Sequence, residues 1–485
     1  MASGLFSPSL KIYLASLIYS ERMKKYFHIN PALILIPAFF ICVLTTCKKE
    51  TDEEKFNKLD LLDKIKTLEG VTVTEIEPKN GYSREFQVDI LQPVDHNNPD
   101  GPKFTQRAYL SHVDETEPMV FAPNGYRSTA SSNQELALLC NMNCLHVTHR
   151  YFYDSRPDPL NWQYLTIKQA ADDHHRIVTL FKKIYKGKWI SSGASKSGLT
   201  ALFHKRYYPD DVDATIAYVA PFTFGIKDER YPVYLRNIGD GDCFSKLMKV
   251  QQYVLRHRNE FMALMDSYIQ SSGASYSMDR ELLLELNIMD YPFTFWQYFS
   301  LPCSTIPDTA TSNVSQIFSH YTSIVPVSSF SDNNLAFYEP YAYQAVSELG
   351  APAYETGYLE GFLKKVDVNS TGNPNYELVA PAGVTYTFNS STMPDIYNWL
   401  QNNGDRIVYI YGKNDPWSAG AIELTGAADA ISIMQNGANH RVRIVNLDDP
   451  DLVYDALRNW LNIPINPSAG KSKGSLSADD ISFRL

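Results

Sequence analysis

The sequence predicts an α/β protein in which a mostly parallel β-sheet carries a large inserted helical domain. Between residues 118 and 221, short apolar segments alternate with segments of helical length, which is typical of a parallel sheet with helical crossovers. The alternation stops near residue 222 and resumes after residue 390, and the stretch between contains helical segments and Pro-rich turns. We therefore expect a core formed by residues 70–221 and 391–464, a helical cap formed by residues 222–390, and a flexible tail at 465–485.

The predicted sheet begins with an antiparallel part. Strand-like segments at 71–77, 84–91 and 103–112 are joined by polar turns such as HNNPDGPK. The alternating part then predicts strands at 118–122, 144–149, 188–192, 214–219, 406–411 and 430–434, and helices at 133–140, 166–185 and 200–207.

The composition excludes one class of partner. The chain has 485 residues, a formal net charge of -10 and no run of lysine and arginine longer than a pair such as Lys48-Lys49. Because nucleic-acid binding depends on clustered lysine and arginine, nucleic acid is not the main partner. The segment DDHH at 172–175 contains metal-ligating residue types, but consecutive residues on a helix point around it and do not converge. We expect no metal and no cofactor.

The N-terminus resembles an export signal. From Met23, the sequence MKKYFHINPALILIPAFFICVLTTC has a basic start, an apolar stretch too short to span a membrane comfortably, and then Cys47. This is the pattern of a bacterial lipoprotein signal. We expect residues 1–47 to be a signal peptide with Cys47 lipidated, residues 48–69 to be a solvated tether, and the protein to be a periplasmic or cell-surface lipoprotein. Thr46 departs from the small residue usual before such a cysteine, and a cleaved signal or a short anchor are the alternatives.

Export also decides how the remaining cysteines are interpreted. Cys140, Cys144, Cys243 and Cys303 contain no CxxC pair and no zinc spacing. In an oxidising compartment disulfides are expected, but spacing alone leaves their pairing open.

A candidate nucleophile lies in the segment SSGASKS at 191–197, which is nearly repeated as SSGASYS at 271–277. The first copy follows the predicted strand KWISS and precedes the predicted helix LTALFHKRYY, which is the setting of a G-x-S-x-G nucleophile elbow. The second copy lies between two helical segments and predicts a loop. Ser195 is therefore the candidate, and Ser275 is not. Ser197 stands where the motif has its last glycine.

A reactive serine needs a general base and an acid that orients the base. In an α/β-hydrolase these occur in the order serine, acid, histidine, each after a strand of the sheet. Asp415 follows the strand RIVYIY in the segment YGKNDPW, and His440 follows the strand AISIM in the segment QNGANH. We therefore predict an α/β-hydrolase core with the catalytic triad Ser195, Asp415 and His440.

The oxyanion hole and the substrate pocket complete the predicted site. The N–H of Lys196 and an N–H of Gly125 or Tyr126, in the loop APNGYRST, are the expected oxyanion donors. The cap is expected to cover the catalytic face. Its run YPFTFWQYF at 291–299 either packs the core or lines the pocket, and we expect at least one of its aromatic side chains in the pocket; the candidates are Phe293, Phe295 and Trp296.

Several segments together resemble one family. HRYFYDSRP, LTIKQAADDHHRIV, KWISSGASKSGLTA, YYPDDVDATIAYVAPF, YPFTFWQYF and YGKNDPW are similar to segments of the tripeptidyl and prolyl tri/tetrapeptidyl aminopeptidases. These are exported bacterial serine peptidases, distantly similar to the Pro-X carboxypeptidases, and the likeness covers residues 70–462. It implies an α/β-hydrolase core with a helical cap, release of short peptides from a free amino end, and a preference for proline at the cut.

The resemblance also has implications for single residues. It places a disulfide between Cys243 and Cys303. Thr148 departs from the family, because a glutamate is expected before His149, and Asp290 or Asp173 would then have to bind the free amine. The alternatives are an esterase or amidase on the same core, and a catalytically silent surface lipoprotein that binds peptides, against which the intact triad argues.

Overall fold

The structure, a computed structural model, describes residues 50–130, 134–239, 242–367, 370 and 372–468. The chain divides into two units, Met1–Leu59 and Asp60–Leu485. In the first, helix α1 (Asp52–Asn57) begins with a capping box. The predicted signal peptide, including Cys47, lies outside the described residues. Within the described ranges, no helix has both the length and the apolar character needed to cross a membrane.

The second unit is built on one nine-stranded sheet. Its strands are β1 (Val71–Ile76), β2 (Arg84–Pro93), β3 (Lys103–His112), β4 (Met119–Pro123), β5 (Asn143–Val147), β6 (Trp189–Ala194), β7 (Ala214–Tyr218), β8 (Ile407–Gly412) and β9 (Ala430–Gln435), in the order β1-β2-β3-β5-β4-β6-β7-β8-β9. The first three strands and the β3–β5 pair are antiparallel, and all later pairs are parallel. The predicted strands are confirmed, with ends that shift by one or two residues.

Helices cover both faces of the parallel part. Helices α3 (Glu135–Cys140) and α15 (Asp451–Leu461) pack on one face, and α4 (Ile167–Phe181), α5 (Lys196–Tyr207) and α14 (Thr392–Asn403) on the other. Strand β8 is fully buried, and its apolar side chains alternate between the two layers. Val408 and Ile410 join the first layer, whereas Ile407, Tyr409 and Tyr411 join the second.

The insertion between β7 and β8 forms a helical cap. Its helices are α6 (Arg230–Arg236), α7 (Cys243–Arg256), α8 (Arg258–Ser272), α9 (Arg280–Met289), α10 (Tyr291–Tyr298), α11 (Val314–Ile324), α12 (Asp332–Gln344) and α13 (Pro374–Val379). Side chains of α7 to α11 form a separate apolar core. A disulfide joins Cys243 to Cys303 with a Cα–Cα distance of 5.3 Å, as the family resemblance implied, while Cys140 and Cys144 are buried free thiols.

Two predicted boundaries need correction. Residues 60–69 are not a solvated tether, because helix α2 (Leu61–Lys66) buries Leu61 and Ile65, and Leu68 follows them into the core. These three side chains follow the i, i+4, i+7 spacing of one helical face, which the surrounding charges obscured. The tail begins later than residue 465, since Ile465 packs on the core and the Asn466 N–H donates to Leu139 O.

Candidate active site

Ser195 occupies a strained turn between β6 and α5. Its backbone angles are φ 57° and ψ −128°, a conformation that non-glycine residues rarely adopt and that costs on the order of 1–3 kcal/mol. The Ser195 N–H donates to Tyr218 O at 2.8 Å and the Leu199 N–H donates to Ser195 O at 3.0 Å, so the turn is fixed on both sides. A Cβ on Gly193 would lie 2.5 Å from the backbone of Ser197, which shows how closely strand and helix approach. This is the geometry of a nucleophile elbow.

The Ser197 side chain connects the nucleophile elbow to a neighbouring loop, which the motif alone does not predict. Its hydroxyl donates to Asn124 Oδ1 at 2.7 Å and accepts the Gly125 N–H at 3.0 Å. The serine that replaces the last glycine of the motif therefore ties the elbow to the loop after β4.

Asp415 and His440 meet at the carboxyl ends of β8 and β9. His440 Nδ1 lies 2.6 Å from Asp415 Oδ2, and both side chains are buried. The other carboxylate oxygen accepts the Trp417 N–H at 3.1 Å, and the His440 N–H donates to Gln297 O at 3.0 Å. His440 Nε2 has no hydrogen-bond partner in the described ranges. A carboxylate that holds Nδ1 in this way leaves Nε2 to act as the base.

The loop after β4 supplies the second predicted oxyanion donor. Gly125 is the weaker of the two candidates, because its N–H is already bonded to the Ser197 hydroxyl. Tyr126 is the other predicted donor in this loop, and Lys196, the other half of the predicted oxyanion hole, is the first residue of α5.

The side chain of Lys196 fixes the same loop. It is buried, its Nζ donates to Gly125 O, and the rings of Tyr126 and Phe152 lie 5.0 Å from Nζ. Burial lowers the pKa of the Lys196 amine well below its usual value. A Cβ on Gly125 would lie 2.7 Å from this side chain, so the close approach requires glycine.

Helix α10 presents one face to a cleft beside the catalytic loops. The residues on that face follow the i, i+3, i+4, i+7 spacing of a helical stripe and are Asp290, Phe293, Thr294 and Gln297. Phe293 packs edge-to-face on Trp417, with ring centroids 5.1 Å apart. Since Trp417 and Gln297 contact Asp415 and His440, the cleft adjoins the buried pair.

The other aromatic side chains of α10 have different surroundings. The prediction that Phe295 and Trp296 line the pocket is wrong, because both are buried in the core of the cap on the opposite face of the helix. Tyr291 is buried there too, while the Tyr298 ring lies edge-on to His440 at 5.8 Å. Of the three predicted pocket aromatics, Phe293 is the one that lines the cleft.

Asp290 is the charged group in this cleft, and it is buried. Its Oδ1 accepts hydrogen bonds from the Tyr354 hydroxyl and from Asn375 Nδ2, the latter at 2.9 Å. Burial raises the pKa of the Asp290 carboxyl to about 7. Tyr354 and Asn375 come from distant parts of the chain, and sequence reasoning missed them.

Asp173 and position 148 are not available to a substrate. Asp173 is fully buried and receives two hydrogen bonds from Arg150, at 2.7 and 2.8 Å, and one contact from His96 at 2.7 Å. Thr148 is buried, and its hydroxyl accepts the Ser128 N–H at 3.0 Å. Of the two predicted substitutes for the missing glutamate, the structure leaves Asp290.

Comparison with known proteins agrees with the resemblance found in the sequence. A model of the PS-10 peptidase S37 family matches residues 54–467. The prolyl tri/tetrapeptidyl aminopeptidase of Streptomyces mobaraensis is 32% identical over 396 residues, which are 80% of this chain and 82% of that protein. Two solved structures align at 10% identity: VinJ with TM-score 0.34, over 81% of this chain and 98% of that one, and a proline iminopeptidase of Mycobacterium smegmatis with TM-score 0.35, over 79% and 99%. The chain belongs to the PS-10 peptidase S37 family and is a serine hydrolase of the peptidase class.

Proposed function

We propose that this protein is an exported serine peptidase that releases short peptides from the free amino end of oligopeptides and favours proline at the cleavage site. The observation that carries the proposal is the strained elbow of Ser195 on the same edge of the sheet as the buried Asp415–His440 pair. The similarity to a prolyl tri/tetrapeptidyl aminopeptidase supports the choice of peptide substrates.

The three residues are proposed to act as a catalytic triad. Ser195 Oγ attacks the carbonyl carbon at the cut while His440 Nε2 accepts its proton, and Asp415 stabilises the imidazolium. The N–H groups of Lys196 and Tyr126 are proposed to bind the oxyanion, each contributing about 3 kcal/mol. The tetrahedral intermediate then expels the amine, which takes the proton from His440. A water molecule hydrolyses the acyl-enzyme by the same route and restores the free serine.

Two features support short, proline-containing substrates. The last turn of α10 contacts His440 through Gln297 O. The cap therefore limits how much peptide fits at the catalytic site. Phe293 and Trp417 form an aromatic wall beside the catalytic loops. Proline packs well on an aromatic face, and its fixed φ reduces the ordering cost of binding.

Export through a lipoprotein signal remains part of the proposal. It is supported by the pattern of residues 23–47 and by the Cys243–Cys303 disulfide, since disulfides persist mainly in oxidising compartments. The test is detergent phase partition of protein expressed with its N-terminus. The wild type should enter the detergent phase and Cys47→Ser the aqueous phase, whereas equal partition would refute lipidation at Cys47.

The activity test compares three chromogenic substrates: a tripeptide ending in proline, its N-acetylated form and a short-chain ester. The proposal is supported if the wild type prefers the free-amine prolyl peptide and Ser195→Ala abolishes its cleavage. Fast ester turnover without peptide cleavage would favour an esterase. Equal cleavage of the blocked and free peptides would refute the requirement for a free amino end.

A further inference from the structure

We propose that Asp290, together with Asn375, binds the α-ammonium group of the peptide substrate, and that its position on α10 sets how many residues are released. This assignment rests on the proposed function, because it concerns the amino-end side of the same active site.

The buried carboxyl of Asp290 lacks a positively charged partner among the described residues that line its cleft. Asp290 Oδ2 and Asn375 Oδ1 have no hydrogen-bond partner in the part of the chain that the structure describes. The described residues that line the cleft include no lysine, arginine or histidine, and the titratable group that contacts Asp290 is Tyr354. Burial raises the pKa of Tyr354 well above its usual value, so it stays neutral and serves as a donor. A buried carboxylate without a counter-ion is costly, and a cation supplied by the substrate would offset that cost.

Other buried carboxylates of the same chain show the contrast. Glu285, on the neighbouring helix α9, receives Arg258 at 2.8 Å and the N–H of Val366 at 2.9 Å. Asp173 is paired with Arg150. The described residues that line the cleft supply no such arginine to Asp290, which distinguishes it from these two carboxylates.

The size and chemistry of the cleft indicate an ammonium group. The cleft that Asp290 lines has a cavity volume of about 30 Å³, which leaves room for a small group such as an ammonium. Asp290 Oδ2 and Asn375 Oδ1 are two acceptors for an ammonium's three N–H donors. Asp290 is the one carboxylate among the described lining residues, and the described part of the chain has no cluster of three or more His, Cys, Asp or Glu side chains that could hold a metal ion.

The indole N–H of Trp417, in the same cleft, is suited to a backbone carbonyl near the amino end of a peptide. Trp417 Nε1 is buried and has no hydrogen-bond partner in the described ranges. An indole N–H donates only, so its natural partner is a carbonyl. Two acceptors and one donor in one cleft match a peptide's ammonium group and a nearby backbone carbonyl.

The length of α10 then limits the product. Asp290 lies at the start of the helix, and Gln297, whose carbonyl accepts the His440 N–H, lies seven residues later, about 10 Å along the axis. An extended peptide rises about 3.3 Å per residue. An ammonium group at Asp290 therefore places the third carbonyl near the catalytic histidine, and three residues should be released.

The test measures kcat/KM on a free-amine prolyl tripeptide substrate and on its N-acetylated form. In Asp290→Asn, kcat/KM on the free-amine substrate should fall about a hundredfold, as expected when one partner of a buried charge pair is removed. On the acetylated substrate it should change less than about threefold, because that substrate has no ammonium group to pair. Asp266→Asn, the same substitution on a solvated carboxylate of the cap, should leave both values unchanged.

The results separate this assignment from the proposed function. Labelling with a fluorophosphonate shows whether the Asp290→Asn variant is folded. If the wild type prefers the free-amine substrate and the folded variant keeps that preference, Asp290 does not bind the ammonium group, although the proposed function stands. If the wild type cleaves neither peptide, the proposed function fails and this assignment fails with it.

A second measurement needs only the wild type. In peptides with a single proline at position two, three, four or five, cleavage should be strongest after a proline at position three. Equal cleavage at all four positions would overturn the length argument.

A third measurement follows the pH dependence of the wild type. The ratio of kcat/KM for the free-amine substrate to kcat/KM for the acetylated substrate should fall as the pH drops from 7.5 to 5.5, because Asp290 gains a proton. The titration of the triad affects both substrates and cancels in the ratio. A flat ratio would overturn the role of the carboxylate.

Discussion

Replacing Asp290 by asparagine should stabilise the empty protein at alkaline pH, although it should also impair the enzyme. Burial raises the pKa of the Asp290 carboxyl from 3.8 to about 7. Because the folded-state pKa lies above the unfolded-state pKa, protonation stabilises the fold. This stabilisation is complete below about pH 4 and is lost as the pH rises through about 7. Asparagine keeps the shape of the protonated acid and does not titrate.

The magnitude follows from the shift. A difference of about three pKa units, at about 1.36 kcal/mol each, corresponds to up to about 4 kcal/mol at pH 8, of which about 1.5 kcal/mol is already present at pH 5. The folded unit has roughly 400 residues, and an unfolding entropy of about 2.1 cal/mol/K per residue converts 4 kcal/mol into about 5 °C in Tm. The variant should therefore exceed the wild type by about 5 °C at pH 8 and by about 2 °C at pH 5.

The assay is thermal unfolding of both proteins at the two pH values. Glu348→Gln is the matched control, because burial also raises the pKa of Glu348 to about 7, and its carboxylate accepts the Ile167 N–H at 2.7 Å away from the Asp290 cleft. It should show a similar pH-dependent change in Tm but keep the preference for free-amine substrates. A Tm difference between Asp290→Asn and wild type that does not change with pH would refute the premise that Asp290 lacks a counter-charge.

Three further substitutions test other parts of the structure. Ser195→Ala should reduce kcat by on the order of a million-fold, whereas Ser275→Ala, in the exposed loop between α8 and α9, should leave the rate of peptide cleavage unchanged; comparable losses in both would contradict the choice of elbow. Replacing Cys243 and Cys303 by serine should lower the free energy of unfolding by roughly 4 kcal/mol, since the closed loop spans 60 residues, and unchanged urea denaturation would argue against the bridge. Ser197→Gly restores the motif but removes two hydrogen bonds to the β4 loop, so kcat should fall about tenfold with little change in KM; an unaltered kcat would mean that the loop is held without them.

The features that the sequence predicts well are those with local signals. Buried strands such as β8 are short apolar runs bounded by turn residues, and the nucleophile elbow needs only a strand, a tight turn and a helix in succession. Chain order then placed Asp415 and His440, because each residue directly follows a strand whose apolar run is visible in the sequence. The structure brings those two side chains within hydrogen-bonding distance.

Where sequence reasoning failed, the decisive interactions were non-local or were hidden by charge. The charged residues of the segment LDLLDKIK predict a tether, although Leu61 and Ile65 share one helical face and are buried. The aromatic character of Phe295 and Trp296 predicts a place in the pocket, but the helical period turns both side chains away from the cleft. Counting in steps of three and four from Asp290 would have selected Phe293 and excluded both.

The partners of Asp290 could not have been found in this way. Tyr354 and Asn375 lie 64 and 85 residues further along the chain, and only the folded cap brings them to the carboxylate. Their absence from a sequence-based site shows the limit of local patterns. The folded structure adds one further piece of information: these partners bond to Oδ1, while Oδ2 has no hydrogen-bond partner among the described residues.

That unpaired oxygen bears on function through stability. An ionised Asp290 is expected to destabilise the substrate-free fold by up to about 4 kcal/mol above neutral pH, in a chain that pairs Glu285 and Asp173 with arginines. An asparagine would relieve this cost through a single substitution without changing the shape of the site. Strain of this kind persists mainly where activity uses it, as does the positive φ of Ser195 in the nucleophile elbow. These two destabilising features, one suited to a nucleophile and one to a cation, are what a peptidase that binds the amino end of its substrate requires.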